Sequence, residues 1–306
     1  MKRAANPTLS PGAQAWLDRY AAHLREEVDL SGVTVRNYLS DLRHFAAWCE
    51  AAWASGDEPG ATFAPQALTT PTITRYRAWL QAEAKLRPAS VNRSLVSLKR
   101  FCAWAVDAGH LQRDPSRPAK LVTQELHAPR HLTDKEEEAL IAAAADGAGR
   151  DYALLVLMLH TGLRASEVCA LRREHVRLAR KSGVLQVWGK RHKFREVPLN
   201  ATARRALEAW LPQLPTDSCL FPSRKTGEAL TPRALGQLVG RVAHAARVPD
   251  VHPHDLRHRF GYRMAESVPL HRLAQIMGHD SLDTTRIYTQ GTAADLQREV
   301  EKIAWE

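Results

Sequence analysis

Four short segments hold residue types that together can act on a phosphodiester. They are His160-Thr-Gly-Leu-Arg164-Ala-Ser-Glu167, the turn Gly189-Lys190-Arg191-His192-Lys193, His252-Pro-His254-Asp-Leu-Arg257-His258, and the stretch from Gly278-His279 to Tyr288. Breaking a phosphodiester by nucleophilic attack needs a nucleophile, neutralisation of the charge on a phosphorane-like transition state, and a proton for the leaving oxygen. Tyr288 can be the nucleophile, but a tyrosine hydroxyl with a reference pKa of ~10 needs help to lose its proton. Arg164 and Arg257 can clamp non-bridging oxygens bidentately. Lys190, on a polar turn, can reach a phosphate or donate a proton. Such a cationic cluster can take the place of a metal, and no metal or other cofactor is expected.

Each segment taken singly has an ordinary explanation. Arg164 follows an apolar helix and a glycine turn, and Glu167 can orient it in a structural ion pair, since a buried unpaired charge is costly. Lys190 on a turn can simply be solvated. His254 lies three residues before Arg257 and four before His258, so the three share a helix face. That histidine spacing also suits zinc, but no nearby carboxylate or cysteine completes a site and Arg257 would repel a cation. A lone Tyr288 is usually a core or surface residue. Only the combination points to strand cleavage.

The elements that would carry these residues follow from periodicity. Trp16, Leu17, Tyr20, Leu24 and Val28 mark a helix over 13–30, and Ser31-Gly32 breaks it. Thr34 opens a second helix through Tyr38, Leu42, Phe45 and Trp48, and residues 54–72 read as a loop. A third helix covers about 72–84, started by Thr70-Pro71, and a fourth covers 88–108 with Leu95, Leu98, Phe101 and Cys102 on one side. Arg93, Lys99 and Arg100 lie on its other side. Residues 1–112 thus form an all-helical domain, 113–131 a proline-containing linker, and 132–306 a second domain. Thr133 to Glu136 looks like a capping box ahead of a helix. A second helix runs from Arg150 to His160, and the segments 184–188 and 194–197 form a hairpin with a basic tip. Helices resume from 200. Gly278 ends one of them, Asp280 or Ser281 caps the next, and Tyr288 sits on that next helix. The fold expected is mainly α, with a small antiparallel sheet in the second domain.

Composition is that of a globular chain with an excess of positive charge. Its 306 residues carry 43 Lys+Arg against 33 Asp+Glu, a net charge of +10, which favours nucleic acid or another polyanion as partner. Cys49, Cys102, Cys169 and Cys219 are far apart and form no CxxC pair, so neither zinc nor a disulfide framework is expected and a reducing cytosol fits. No apolar h-region opens the chain and no run is long enough to span a bilayer, so a cytoplasmic location without membrane contact is expected.

In combination these segments resemble the tyrosine recombinase family, which includes the Xer, Cre and phage-integrase proteins. The pattern is an Arg in a TGLR-S-E block, a Lys in a GK hairpin, an H-x-L-R-H block, and GH followed nine residues later by Tyr, and all four occur here in order. The resemblance is firm over 131–291. It is looser in the first domain, through SGVTVRNYLSDLRHFAAWC and NRSLVSLKRFCAWA. It implies a SAM-like core-binding domain followed by the recombinase catalytic fold. It implies that Arg164 and Arg257 bind the scissile phosphate, His254 assists as base or hydrogen-bond partner, and His279 hydrogen-bonds the phosphate. Lys190 then protonates the departing 5′ hydroxyl, and Tyr288 forms a 3′-phosphotyrosyl link without ATP or metal. It implies further that the two domains clamp duplex DNA at a specific recombination site, with four protomers on two sites and room for a partner recombinase. Thr34, Arg36, Arg93, Lys99, Arg100, Lys193 and Arg195 are candidate DNA contacts. A last helix with Leu296, Val300 and Ile303 on one face is expected, and the resemblance implies that it docks on a neighbouring protomer, with packing on its own domain as the alternative.

The chain departs from the family pattern in places. The arginine block reads HDLRHRFGYRM rather than HxLRHTFAT or HxLRHSFAT, so Arg259 and Tyr262 stand where small residues are usual. Integrase, Xer-like resolvase, and plasmid or transposon roles stay open. So do a type IB topoisomerase-like enzyme, a telomere resolvase, and a non-catalytic DNA-binding regulator on the same fold.

Overall fold

A computed structural model describes residues 6–26, 30–54, 62–123, 130–145, 149–189 and 193–278, together with Thr285 and Tyr288. The chain divides into two units, Met1–Leu126 and His127–Glu306.

In the first unit the described helices are α1 (Pro11–Glu26), α2 (Gly32–Ala54), α3 (Thr70–Ala82) and α4 (Pro88–Asp107). Their starts follow from local chemistry. Ser31 accepts the Thr34 amide at 3.2 Å and so begins α2 ahead of Thr34. Thr69 accepts the Thr72 amide at 3.3 Å and begins α3, with Pro71 in the first turn where its missing N–H costs nothing. The apolar faces meet in a core of Leu17, Tyr20, Leu42, Phe45, Tyr76, Leu95 and Phe101. One carboxylate is buried there. Asp41 of α2 accepts from Ser97 Oγ at 3.0 Å and pairs with Arg93 at 3.0 Å, both on α4, which fixes the register of the two helices. Part of the stretch read as a linker is tied to this unit. Asn92 of α4 exchanges two hydrogen bonds with the backbone of Val122, at 2.8 and 2.9 Å, and Arg77 donates to Lys120 O at 2.8 Å.

The second unit begins with α5 (Asp134–Ala145), α6 (Gly149–Thr161) and α7 (Ala165–Ala170). Thr133 and Glu136 form the expected reciprocal cap, Thr133 N to Glu136 Oε2 at 2.8 Å and Glu136 N to Thr133 Oγ1 at 3.2 Å. Every residue of α6 from Ala153 to Leu159 is buried, the signature of a helix packed on all sides. Around it lie α5, α8 (Ala201–Trp210) and α10 (Pro253–Ala265). α9 (Pro232–Ala245) and α11 (Leu270–Met277) complete the described helices.

A three-stranded antiparallel sheet of β1 (Val176–Leu178), β2 (Gly183–Trp188) and β3 (Phe194–Pro198) flanks the helices in the order β1-β2-β3. β2 and β3 are the expected hairpin, with Leu185 opposite Val197 on the buried face. Trp188 and Phe194 pair at the end of the hairpin next to Gly189 and Lys193, with ring centroids 5.2 Å apart. β1 was not foreseen, because three residues are too few to show alternation and the strand exists only through its pairing with β2. The helices expected around Tyr288 and over Thr292–Ile303 fall outside the described residues. Among the described residues no helix is long and apolar enough to cross a membrane.

Candidate active site

Each candidate side chain is held by a local feature of the second unit. Where α6 ends, Gly162 turns the backbone with φ +62°, a left-handed conformation natural to glycine. A Cβ there would also run into the Phe260 ring. The Gly162 carbonyl accepts from Arg257 Nη1 of α10. Two residues on, Arg164 is extended (φ −70°, ψ 150°) at the start of α7, and Glu167 accepts its amide at 2.8 Å.

α11 stops at Gly278, φ +66°. A helix C-terminus leaves its last carbonyls without helical partners and carries partial negative charge. Here three guanidinium groups meet three consecutive carbonyls. Arg195 Nε donates to Ile276 O at 3.2 Å, Arg257 Nη2 to Met277 O at 3.0 Å, and Arg164 Nη2 to Gly278 O at 2.8 Å. Glu167 joins two of the three. Its Oε1 accepts from Arg164 Nη1 at 3.0 Å and Arg195 Nη1 at 2.9 Å, and its Oε2 accepts from Arg195 Nη2 at 2.9 Å. Burial opposes ionisation of this carboxyl. The Arg195 hydrogen bond, the Arg164 amide and the two charges outweigh burial and hold it below the usual carboxylate range.

Tyr288 is only 5% exposed and lies against α10. Its ring meets those of His258 and Tyr262 edge-on, with centroids 5.6 and 5.4 Å away. Burial raises the pKa of its hydroxyl. Arg257, which also donates it a hydrogen bond, and Arg164 act in the opposite sense. Arg257 is itself 2% exposed, and burial followed by repulsion from Arg164 lowers it to about 10, which leaves it cationic at neutral pH. His254 occupies the exposed first turn of α10, its ring 4.3 Å from that of His258. Partial burial of the ring and then Arg257 lower its pKa, so it is a neutral imidazole able to accept a proton. His258 is lowered to about 4, first by burial and then by His254.

The second unit therefore brings Arg164, Arg257, His254, Glu167 and Tyr288 together. Lys190 and His279 lie outside the described residues. Arg195, read as a DNA contact, instead turns inward, its side chain 14% exposed. The other candidate contacts differ among themselves. Arg36, Arg100 and Lys193 are exposed, Arg100 lying over the Tyr38 ring at 5.4 Å. Arg93 is engaged with Asp41. Lys99 Nζ donates to Ser116 O at 2.9 Å, and Thr34 Oγ1 is 2.8 Å from Ser31 Oγ. The contacts of His258, Gly261 and Tyr262 with Tyr288 are not legible from the spacing of these residues. A glycine inside a helical pattern was the available signal, since it marks close approach by another group. Among the described residues no group of three or more side chains is placed to hold a metal ion.

A helical unit followed by a helix-rich unit with one small antiparallel sheet is the fold of tyrosine recombinases. Solved structures with this fold include the Tn1549 transposon integrase with transposon right end DNA (TM-score 0.73, 18% identity, 95% of this chain and 99% of that one). Another is XerH bound to a palindromic difH substrate (TM-score 0.71, 19% identity, 99% and 98%). Sequence comparison goes further. The phage integrase family model matches residues 130–294, and that of the phage integrase N-terminal SAM-like domain matches 17–109. Tyrosine recombinase XerC of Azotobacter vinelandii is 34% identical over 288 residues, covering 90% of this chain and 91% of that one. XerC of Mycobacterium sp. strain KMS is 33% identical over 303 residues, covering 92% and 95%. The chain belongs to the phage integrase family and is a site-specific tyrosine recombinase, an enzyme that cuts and rejoins DNA.

Proposed function

We propose that the chain exchanges strands between two duplex sites through a 3′-phosphotyrosyl intermediate on Tyr288, in a Xer-type reaction. The observation that carries this reading is the pairing of the buried Tyr288 hydroxyl with the Arg257 guanidinium, beside Arg164. The tyrosine oxygen attacks phosphorus, the bond to the 5′ oxygen breaks, and that oxygen leaves as a hydroxyl. Arg164, Arg257 and His279 hold the non-bridging oxygens. His254 accepts the tyrosine proton, and Lys190 supplies one to the 5′ oxygen. Attack by the 5′ hydroxyl of a partner strand reverses the step and frees Tyr288. Bond energy is retained in the phosphotyrosine, so the reaction runs without ATP and in the presence of EDTA.

The DNA in the solved complexes and the similarity to XerC proteins along both units support duplex binding and the Xer-type assignment. Four protomers on two sites, with the segment 292–306 docked on a neighbour, complete the proposed assembly.

The test starts from a site recovered by selection from randomised duplexes and footprinting. A substrate nicked next to the cleavage point should trap a covalent adduct with the wild type and none with Tyr288→Phe. Absence of adduct on a tightly bound site would favour a regulator. Recombinant product from two sites would exclude simple relaxation of DNA.

A further inference from the structure

We infer that Arg195 is a positioning residue for strand cleavage, acting through Arg164 rather than on DNA. The inference rests on the proposed role of Arg164 as a phosphate ligand.

The guanidinium of Arg195 is committed at every nitrogen. Nε holds the Ile276 carbonyl, and Nη1 and Nη2 take the two oxygens of Glu167 as a fork. Two N–H groups are left over, but they lie on opposite sides of the guanidinium, so to clamp a phosphate bidentately it would have to give up one of these partners. Its surroundings leave no slack. A Cβ on Gly278 would stand 2.8 Å from its Cζ and from its Nη1. One side chain of β3 thus joins the α7 N-terminus and the α11 C-terminus.

The effect falls on Arg164. A carboxylate shared with no other cation would neutralise Arg164 and could take it bidentately. Arg195 engages both oxygens of Glu167, which leaves the Arg164 side chain a single 3.0 Å bond to Oε1 and another to Gly278 O. Two guanidinium groups against one carboxylate leave a net positive charge. The Arg164 side chain is 33% exposed, so its remaining N–H groups can face an anion. Arg195 therefore fixes the direction of Arg164 and preserves its charge.

The test is single-turnover cleavage of the nicked substrate at saturating protein, together with DNA affinity and the thermal midpoint. Arg195→Met should slow adduct formation by about tenfold to a hundredfold, the usual range for residues that orient a ligand-holding group. DNA affinity should change less than about twofold. Arg195→Lys should not rescue the rate, since an ammonium cannot span Glu167 and Ile276 O together, and it serves as the test variant if Arg195→Met fails to fold. In an Arg164→Lys background, Arg195→Met should add little further loss, because both changes remove the same interaction. Unchanged cleavage, affinity that falls in step with rate, or full additivity with Arg164→Lys would each overturn the inference. Wild-type cleavage by Arg164→Lys would instead overturn the role of Arg164, and with it the route by which Arg195 acts.

Discussion

The ring of Tyr288 fills the space left by the missing side chain of Gly261. A Cβ on Gly261 would stand 2.5 Å from Cε1 and Cζ of that ring. Real Cβ atoms do not come so close, so one of the two must move. Tyr262 and His258 flank the ring on the same helix and limit its escape. Gly261→Ala should therefore displace the proposed nucleophile from Arg257 and slow adduct formation by about a hundredfold, as small misplacements of reacting groups do. DNA affinity should be kept. Quantifying adduct on the nicked substrate checks this, and a wild-type rate would show that Tyr288 reacts from elsewhere.

His258 should make stability depend on pH. It is packed among His254, Asp255, Arg257 and Tyr288, and its folded pKa is lowered to about 4. The unfolded chain takes up this proton near ~6.5, whereas the folded chain does not until about pH 4. Stability is thus fully present above the unfolded pKa and falls as the pH drops through that window, by up to roughly 3 kcal/mol. Thermal midpoints of wild type and His258→Phe, taken from pH 7 to 4, should differ in slope, with the variant flatter. Parallel slopes would contradict the assignment.

Arg259 stands where the family usually has a small residue, and restoring that residue should be harmful here. Its buried guanidinium donates to Glu137 Oε2 at 2.6 Å and also to Asp134, linking α10 to the first turn of α5. Arg259→Thr leaves the buried Glu137 with only Arg263 of this pair, 2.7 Å away. Because Arg263 still compensates the Glu137 charge, the loss is that of the charge-assisted hydrogen bond and should cost about 2 kcal/mol. Urea unfolding of the second unit's transition measures it.

Binding to the selected duplex should weaken steeply with salt, because phosphate contacts release counterions. Arg36 is exposed on α2, so Arg36→Ala should lower affinity and reduce the log–log salt slope by about 1. Lys99 already holds the Ser116 carbonyl. Lys99→Ala should lower the thermal midpoint of the first unit and leave the slope alone. Fluorescence anisotropy across a salt series separates the two.

The residues suited to strand cleavage, their order, and the alternation of helical segments with one hairpin were legible in the sequence. Helical and strand periods, glycine turns and the Thr133–Glu136 cap are local properties, so neighbours along the chain suffice to read them. Arg164, Glu167, His254, Arg257 and Tyr288 were readable for the same reason: each sits in a short segment with its own pattern. The role of Arg195 was not. On a strand beside a basic turn it reads as a solvent-facing cation, and only the approach of α7 and α11 gives it Glu167 and Ile276 O as partners. β1 likewise exists through a pairing partner rather than through its own residues. The packing of Tyr288 into Gly261 is of the same kind, since the ring and the gap are far apart along the chain and meet only in the folded second unit. Patterns along the chain determined which chemistry is available. Packing between distant segments decided which arginine faces a phosphate and which holds another in place, because a guanidinium's task is set by the acceptors within about 3 Å of it.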